Sequence, residues 1–205
     1  MNIPVENNAR PNLKFNDPNN LFLIDGSGYI FRAFYGLPTM SNGNGVPVNA
    51  VFGYTKMLLK LIDDFKPVYV AVIFDVARKT FRNDLYDLYK ANRSDPPDEL
   101  IPQFSIIRDA TNAIGLPVVE MEGYEADDLI ATYSDIASKM NKNVIIVSSD
   151  KDLMQLVDQN TTLFDPMKQF WINDNRVFEK FGVYPSKVID VQSLAGDASD
   201  NIPGV

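Results

Sequence analysis

Val68-Tyr69-Val70-Ala71-Val72-Ile73-Phe74-Asp75 is a continuous apolar run that ends in an aspartate. Such a run is typical of a strand that is buried on both faces of a parallel sheet. The same pattern occurs in Leu21 to Ile24, which precedes Asp25, and in Val144 to Val147, which Asp150 follows after two serines. Because ligands bind beyond the carboxyl ends of strands in parallel sheets, we expect Asp25, Asp75 and Asp150 to share one rim.

Stretches with helical periodicity separate these runs. They cover Asn49 to Phe65, with Asn49 as the expected cap, then Asp98 to Ala113 and Glu125 to Met140. This alternation predicts an α/β fold, a mostly parallel sheet with helices on both faces. At 205 residues and 45% hydrophobic side chains, one domain is the default. We expect that domain at residues 20–205, after a disordered tail at residues 1–19 that is rich in Asn and Pro.

A further acidic cluster lies where the last of these helices begins. Gly123-Tyr124-Glu125-Ala126-Asp127-Asp128 places three carboxylates within four residues, after a short predicted strand at 118–122. The helix dipole favours acids in a first turn, so an ordinary helix start and a metal site fit the turn alone equally well. Glu125 and Asp128 share a helix face, however, and repel each other unless a cation lies between them.

The number of acids favours metal ions over separate caps. A single aspartate after a strand is most often a turn former or a helix cap, and the same holds for a pair in a polar loop. Many carboxylates on one rim would raise one another's pKa values and lower stability without bound cations. The predicted metal ligands are Asp25, Asp75, Glu125, Asp127, Asp128, Asp150, Asp152, Asp197 and Asp200.

Composition limits which metal the protein can bind and where in the cell we expect it. The chain has no Cys and no His, so thiolate zinc sites, disulfides and imidazole catalysis are excluded. An all-oxygen ligand set points to Mg²⁺ or Mn²⁺, and nine acids imply two or more ions. The chain has no apolar run of eighteen residues, so we expect a cytoplasmic protein without a membrane anchor. The net charge of −8 is local, since setting the nine acids aside leaves 18 acidic against 19 basic side chains.

A basic and aromatic segment follows Asp75. It contains Phe81, Tyr86 and Tyr89 among the basic residues Arg78, Lys79, Arg82, Lys90 and Arg93. If the segment is helical, Arg82, Tyr86, Lys90 and Arg93 lie on one face. Charge runs are usually solvated surface and aromatic residues are usually core. Their mixture beside an acidic rim suits a phosphate backbone with an exposed base stacked on a ring.

These motifs together resemble the 5′-to-3′ exonuclease domains of bacterial DNA polymerase I, which belong to the flap-endonuclease group. The matching motifs are Leu23-Ile24-Asp25-Gly26-Ser27, Val72 to Asp75, Thr80-Phe81-Arg82, Tyr89 to Arg93, Gly123 to Asp128, Ser149 to Leu153, Asp165-Pro166-Met167 and Gly196 to Val205. The resemblance implies a PIN-like, Rossmann-like fold with a helical arch, and it implies that all nine acids hold metal ions. Arg82 and Lys90 would contact the scissile phosphate, and Arg32 would contact DNA with Arg78, Lys79, Tyr86 and Arg93.

The implied function is metal-dependent hydrolysis of DNA at a 5′ end or 5′ flap, as in primer removal and repair. We expect a monomer without an organic cofactor. Relatives continue into a helix-hairpin-helix element that this chain is expected to lack, which reduces the expected duplex affinity. A nucleic-acid-binding fragment with weak catalysis and an RNA-cleaving nuclease of the same superfamily remain open. A phosphatase is disfavoured, because no second aspartate stands two positions after Asp25.

Overall fold

A six-stranded sheet runs through residues 13–205, the part of the chain that this computed structural model describes. The strands are β1 (Asn20–Asp25), β2 (Tyr69–Ile73), β3 (Val118–Val119), β4 (Asn143–Val147), β5 (Thr161–Asp165) and β6 (Phe170–Ile172). Their order is β3-β2-β1-β4-β5-β6. All neighbours pair in parallel except β5 and β6, which form an antiparallel hairpin. The predicted mostly parallel sheet is confirmed.

Helices cover both faces of this sheet, as predicted. Those in the described residues are α1 (Gly26–Gly36), α2 (Asn49–Phe65), α3 (Phe81–Leu85), α4 (Ile101–Ala113), α5 (Ala126–Lys139), α6 (Asp174–Phe181) and α7 (Val188–Ala195). Helices α1, α2 and α4 contribute to the core on one face, and α5, α6 and α7 to the core on the other. Short 3-10 turns lie at Asp152–Leu156 and Pro185–Lys187. Within residues 13–205 we find no helix with the length and apolarity needed to cross a membrane.

The apolar strands are buried on both faces because successive side chains point in opposite directions. In β1, Phe22 and Ile24 pack in the core with α1 and α2, whereas Leu23 packs in the core with α5. All three are fully buried. Burial of one such side chain stabilises the fold by roughly 1.5–3 kcal/mol. A continuous apolar run is therefore what this sheet needs at its centre.

The order of the strands creates a crevice at the carboxyl end of β1. The chain proceeds from β1 through β2 to β3 on one side, and then returns to place β4 on the other side of β1. Asp25 is the last residue of β1, and Asp75 and Asp150 follow β2 and β4 within three residues. These three strands are direct neighbours, so the predicted common rim is confirmed.

The packed domain begins earlier than predicted. Residues 1–12 of the expected tail lie outside the described part of the chain. Phe15, however, is only 6% exposed. Its ring stacks on Trp171 with 5.3 Å between centroids and meets Phe65 edge-on at 5.0 Å. Residues 13–19 thus contribute to the core through an aromatic contact that local composition does not reveal.

The cap of α2 also differs from the prediction. Asn49 is the first helical residue, and its side chain donates a hydrogen bond to the Phe34 carbonyl instead of capping. Gln103, which is fully buried in α4, accepts hydrogen bonds from the free amides of Ala50 and Val51 at 2.8 and 3.1 Å. The amides are capped by a residue more than fifty positions away, which no local motif could indicate.

The basic segment after Asp75 does not form the predicted continuous helical stripe. Helix α3 ends at Leu85, and Tyr86 has an extended backbone with φ −149° and ψ 103°. Turns follow, and Lys90 lies in the left-handed region with φ 55°. The shared helix face expected for residues 82–93 is therefore wrong. Tertiary contacts, rather than helical periodicity, bring the basic side chains to the acidic rim.

Candidate metal centre

Four carboxylates at the middle of the rim have no basic partner: Asp25, Asp75, Asp127 and Asp150. Among residues 13–205, no Lys or Arg nitrogen lies within 4.0 Å of any of them. Asp25 also caps α1, because one of its oxygens accepts a hydrogen bond from the Gly28 amide at 3.0 Å. We call these four residues the inner acids.

Hydrogen bonds tie the inner acids to one another's strands. The Ser148 hydroxyl donates to Asp25 at 2.8 Å and accepts from the Asp150 amide at 3.0 Å. Asp75 accepts a hydrogen bond from the Ala126 amide at 2.8 Å, in the first turn of α5. These bonds connect the end of β1 to the end of β4 and, separately, the segment after β2 to the helix that carries Asp127.

Burial and mutual repulsion act on the charges of the inner acids. Burial, followed by repulsion from the carboxylates of Asp75 and Asp150, raises the pKa of Asp25 to about 6, although two hydrogen bonds act to lower it. The pKa of Asp127 is raised well above its usual range, first by burial and then by the other acids around it. Such a site has an excess of negative charge that a cation would stabilise.

Arg82 neutralises Asp128, the third acid of the α5 turn. Its guanidinium donates two parallel hydrogen bonds to the carboxylate, at 2.7 and 2.8 Å. This bidentate pair lowers the pKa of Asp128, and it raises the pKa of Arg82. Asp128 also accepts a hydrogen bond from the Glu125 amide at 2.9 Å, so it closes a capping box at the start of α5.

Tyr89 and Lys90 join two acids that are distant in sequence. The Tyr89 hydroxyl is 3.1 Å from Glu125 and 3.0 Å from Asp200. The Lys90 ammonium lies 2.9 Å from Glu125 and 3.8 Å from Asp200. Arg93 forms a second ion pair with Asp200. Because Asp200 is bonded in this way, the loop at 197–201 is held against the turns that follow α3.

Lys151 engages the remaining two acids. Its ammonium is 2.6 Å from Asp197 and 3.7 Å from Asp152. Burial would raise the pKa of Asp197, but Lys151 and Ser199 lower it to about 2. Asp152 has a raised pKa because of burial and of the neighbouring Asp150. Five of the nine predicted ligands therefore have basic partners from this chain, and we call them the outer acids: Glu125, Asp128, Asp152, Asp197 and Asp200.

The donor chemistry suits a hard divalent cation, although the ligands are not gathered around one point. Among residues 13–205, no group of three or more Asp or Glu side chains has the arrangement that holds a metal ion as it stands. The donors are nevertheless all carboxylate oxygens, and the inner acids lack any positive partner. Oxygen-only sites of this kind bind Mg²⁺ or Mn²⁺. The nine-residue ligand set remains a prediction.

Three cavities border the rim. The largest, about 640 Å³, is lined by Asp127 and all five outer acids on one side and by apolar residues such as Ile189 and Ile202 on the other. A second of about 450 Å³ is lined by Asp25, Asp150 and Lys151. A third of about 310 Å³ lies beside Asp75 and Lys90. Every predicted ligand thus borders open space from which ions and phosphates can enter.

The predicted DNA-contacting residues occupy different positions around this space. Tyr86 borders the largest cavity, and Arg78 and Arg93 border the smallest. Arg78 pairs with Asp95 and donates to the Arg93 carbonyl at 2.7 Å, so it connects the two ends of the basic segment. Lys79 is exposed in that segment, whereas Arg32 is exposed separately on α1.

Several residues that organise the site are not predicted from the sequence. Ser148 lies in a pair of serines, and Tyr89 lies among the aromatic residues of the basic segment. Arg108 donates to the backbone carbonyl of Asp75 at 2.8 Å and pairs with Glu120 at 2.7 Å. Its place within an amphipathic helix carries no signal for this role. The position of Ser148 just after β4 is the available signal, since a hydroxyl at a strand end commonly bonds nearby backbone groups.

Asp165 shows the ordinary use of an aspartate after a strand. It ends β5 at the same edge of the sheet and is only 3% exposed. Its carboxylate accepts hydrogen bonds from the amides of Met167 and Lys168, at 2.8 and 3.0 Å, and so shapes the turn to β6. A strand-end position alone therefore does not make an aspartate part of the metal centre.

Comparisons with known proteins agree with this architecture. Residues 20–182 match the family described as "5'-3' exonuclease, N-terminal resolvase-like domain". A DNA polymerase I of Rhizobium leguminosarum is 54% identical over 91% of this chain, and the match covers 19% of that protein. A 5′-3′ exonuclease of Aquifex aeolicus is 41% identical over 90% of this chain and 64% of its own length.

A solved structure has the same fold. A T5 5′-exonuclease described with bound divalent metal ions (zinc) has a TM-score of 0.73 and 24% identity, covering 91% of this chain and 70% of that one. The chain spans less than two thirds of the length of the polymerase and exonuclease relatives named above. The family model, by contrast, covers most of the chain. The chain therefore belongs to the family of 5′-3′ exonuclease N-terminal, resolvase-like domains.

Proposed function

We propose that residues 20–205 form the catalytic domain of a divalent-metal-dependent 5′-3′ exonuclease and 5′-flap endonuclease acting on DNA. One observation carries the proposal: within residues 13–205, three carboxylates without a basic partner lie at the carboxyl ends of adjacent strands and a fourth, Asp127, lies beside them in the first turn of α5, with Arg82 and Lys90 at the same rim. An excess of negative charge bordered by cations suits metal-assisted cleavage of a phosphodiester.

The inner acids would hold the divalent ions, with the outer acids completing the ligand set. We propose Mg²⁺ or Mn²⁺, two or more ions in all, because the donors are oxygen only. Bound ions of this kind lower the pKa of a water molecule and stabilise the leaving oxygen. This chemistry needs no histidine, and the chain has none.

Arg82 and Lys90 would contact the scissile phosphate and offset the charge that develops on it. Each is held now by a carboxylate of the rim, at 2.7 and 2.9 Å respectively, so neither side chain has far to move. The residues proposed to contact the DNA strand are Arg32, Arg78, Lys79, Tyr86 and Arg93. Tyr86 is 37% exposed beside the largest cavity, where an unpaired base could stack on its ring.

DNA is the proposed partner, in the form of a 5′ end or 5′ flap. A T5 flap endonuclease of similar fold is described as a pseudo-enzyme–product complex with DNA and metal ions, at 24% identity and a TM-score of 0.72. The relatives named DNA polymerase I and 5′-3′ exonuclease support the same partner. We further propose a monomer in the cytoplasm, consistent with the absence of cysteine.

The test is cleavage of a labelled 5′-flap DNA oligonucleotide in Mg²⁺ or Mn²⁺, with EDTA as the control. A double variant, Asp25→Asn with Asp150→Asn, should abolish cleavage, whereas Asp165→Asn should retain it. Matched flaps of DNA and RNA would establish the sugar preference. Binding of the flap without cleavage in either metal would refute catalysis, and full activity of the double variant would refute the metal assignment.

A further inference from the structure

Lys151 differs from the other basic residues of the rim in its position. It stands between two predicted ligands in the sequence Asp150-Lys151-Asp152, four residues after the end of β4. Its ammonium lies 2.6 Å from Asp197, which is forty-six residues away in the sequence. Asp152 lies 3.7 Å from the same nitrogen. One lysine thus bridges two outer acids.

Groups of this chain bond both acids of the bridged pair. One oxygen of Asp197 bonds Lys151, and the other accepts hydrogen bonds from the amide and hydroxyl of Ser199. One oxygen of Asp152 accepts a hydrogen bond from the Gln192 side chain. A divalent ion that binds Asp152 and Asp197 together would therefore compete with the ammonium for them. The inner acids present no such competitor within residues 13–205.

We propose that Lys151 is a built-in counter-cation that competes with divalent metal for Asp152 and Asp197, and so makes this the weaker metal position of the rim. The inference rests on the proposed function, because it assumes that these two acids are ligands. It assigns Lys151 an effect on metal affinity that the Asp-Lys-Asp spacing alone does not show. Metal entry at the outer pair becomes an exchange of one cation for another.

The geometry makes this exchange feasible. The Lys151 side chain is 40% exposed and borders the cavity of about 450 Å³ beside Asp25 and Asp150, into which its flexible stem can swing. An ion pair whose lysine is 40% exposed is weak, so the lysine can be displaced without disrupting the fold. The same weakness limits the competition, and removing the charge should tighten metal binding by about fivefold at most.

The experiment is a titration of the metal-free protein with Mn²⁺, followed by calorimetry and by the electron paramagnetic resonance signal of free Mn²⁺. Wild type should show a tight class and a weak class of sites. Lys151→Met should tighten the weak class about fivefold and leave the tight class within about twofold. Lys151→Arg, which keeps the charge, should resemble wild type. Lys139→Met is the matched control, since within residues 13–205 Lys139 pairs only with the exposed Asp135.

The outcomes separate the inference from the function on which it rests. A weak class that Lys151→Met leaves within twofold of wild type would overturn the role of Lys151 while the metal centre stands. An absence of Mn²⁺ binding to wild type and to every variant would overturn the metal-dependent function itself. Thermal melts of the metal-free variants should coincide within a few degrees, because an ion pair whose lysine is 40% exposed contributes little to stability.

Discussion

Asp25→Asn should make the metal-free protein more stable at pH 8 while it removes a metal ligand. Asp25 is 8% exposed and, within the described residues, has no basic partner, yet it is ionised at this pH. Asparagine has the same shape and caps helices equally well, so it can still accept the hydrogen bond from the Gly28 amide. The variant therefore removes the buried charge and keeps the cap.

The magnitude follows from the pKa of the buried carboxyl. Raising it from 3.8 to about 6 corresponds to about 3 kcal/mol of destabilisation of the charged form. The variant weakens the Ser148 contact, which costs about 1 kcal/mol. The expected net gain at pH 8 is about 2 kcal/mol in the free energy of unfolding.

The pH dependence has a definite sign. Because the pKa of Asp25 is higher in the folded state, the folded protein binds more protons than the unfolded chain between about pH 4 and pH 6. This contribution to wild-type stability is fully present below pH 4 and is lost as the pH rises to 6. Asparagine does not titrate. The advantage of the variant should therefore grow across this window and level off above it.

The assay is urea denaturation in EDTA at pH 4.5 and pH 8, followed by circular dichroism. Asp165→Asn is the matched control at the same edge of the sheet. Its carboxylate accepts two backbone hydrogen bonds, so loss of its charge should not increase stability. The reasoning would be refuted if Asp25→Asn were less stable than wild type at pH 8, or if its advantage were equal at the two pH values.

Three further outcomes are expected. Mn²⁺ should raise the melting temperature of wild type more at pH 8 than at pH 5, because protons compete for Asp25 up to about pH 6; a larger shift at pH 5 would contradict this. Arg82→Gln should slow flap cleavage by roughly 10²- to 10³-fold, with Lys139→Gln, on the exposed face of α5, as the control that retains most activity in the same assay. Phe15→Ala should lower the free energy of unfolding by about 3 kcal/mol in a denaturant titration, since its ring is buried on Trp171; an unchanged midpoint would show that residues before β1 add nothing to the core.

The contrast between Asp25 and Asp165 illustrates how far a local pattern can be taken. Both end a buried strand at the same edge of the sheet and both are almost fully buried. Asp25 faces other acids, whereas Asp165 bonds two amides of its own turn. In both cases the sequence shows apolar residues directly before an aspartate. Only the position of β1 beside β2 and β4 separates the two roles.

The sequence by itself determined four of the six strands, the helices α2, α4 and α5, and the acids that follow the strands, because periodicity and turn chemistry act between residues close in the chain. The motifs and their order along the chain also indicated the family. Tertiary structure alone decided which acids keep their charge unpaired and which pair with Lys90, Arg82 and Lys151, since these contacts join residues dozens of positions apart. The left-handed backbone at Lys90 and the burial of Phe15 have the same origin: long-range packing overrides the local preference.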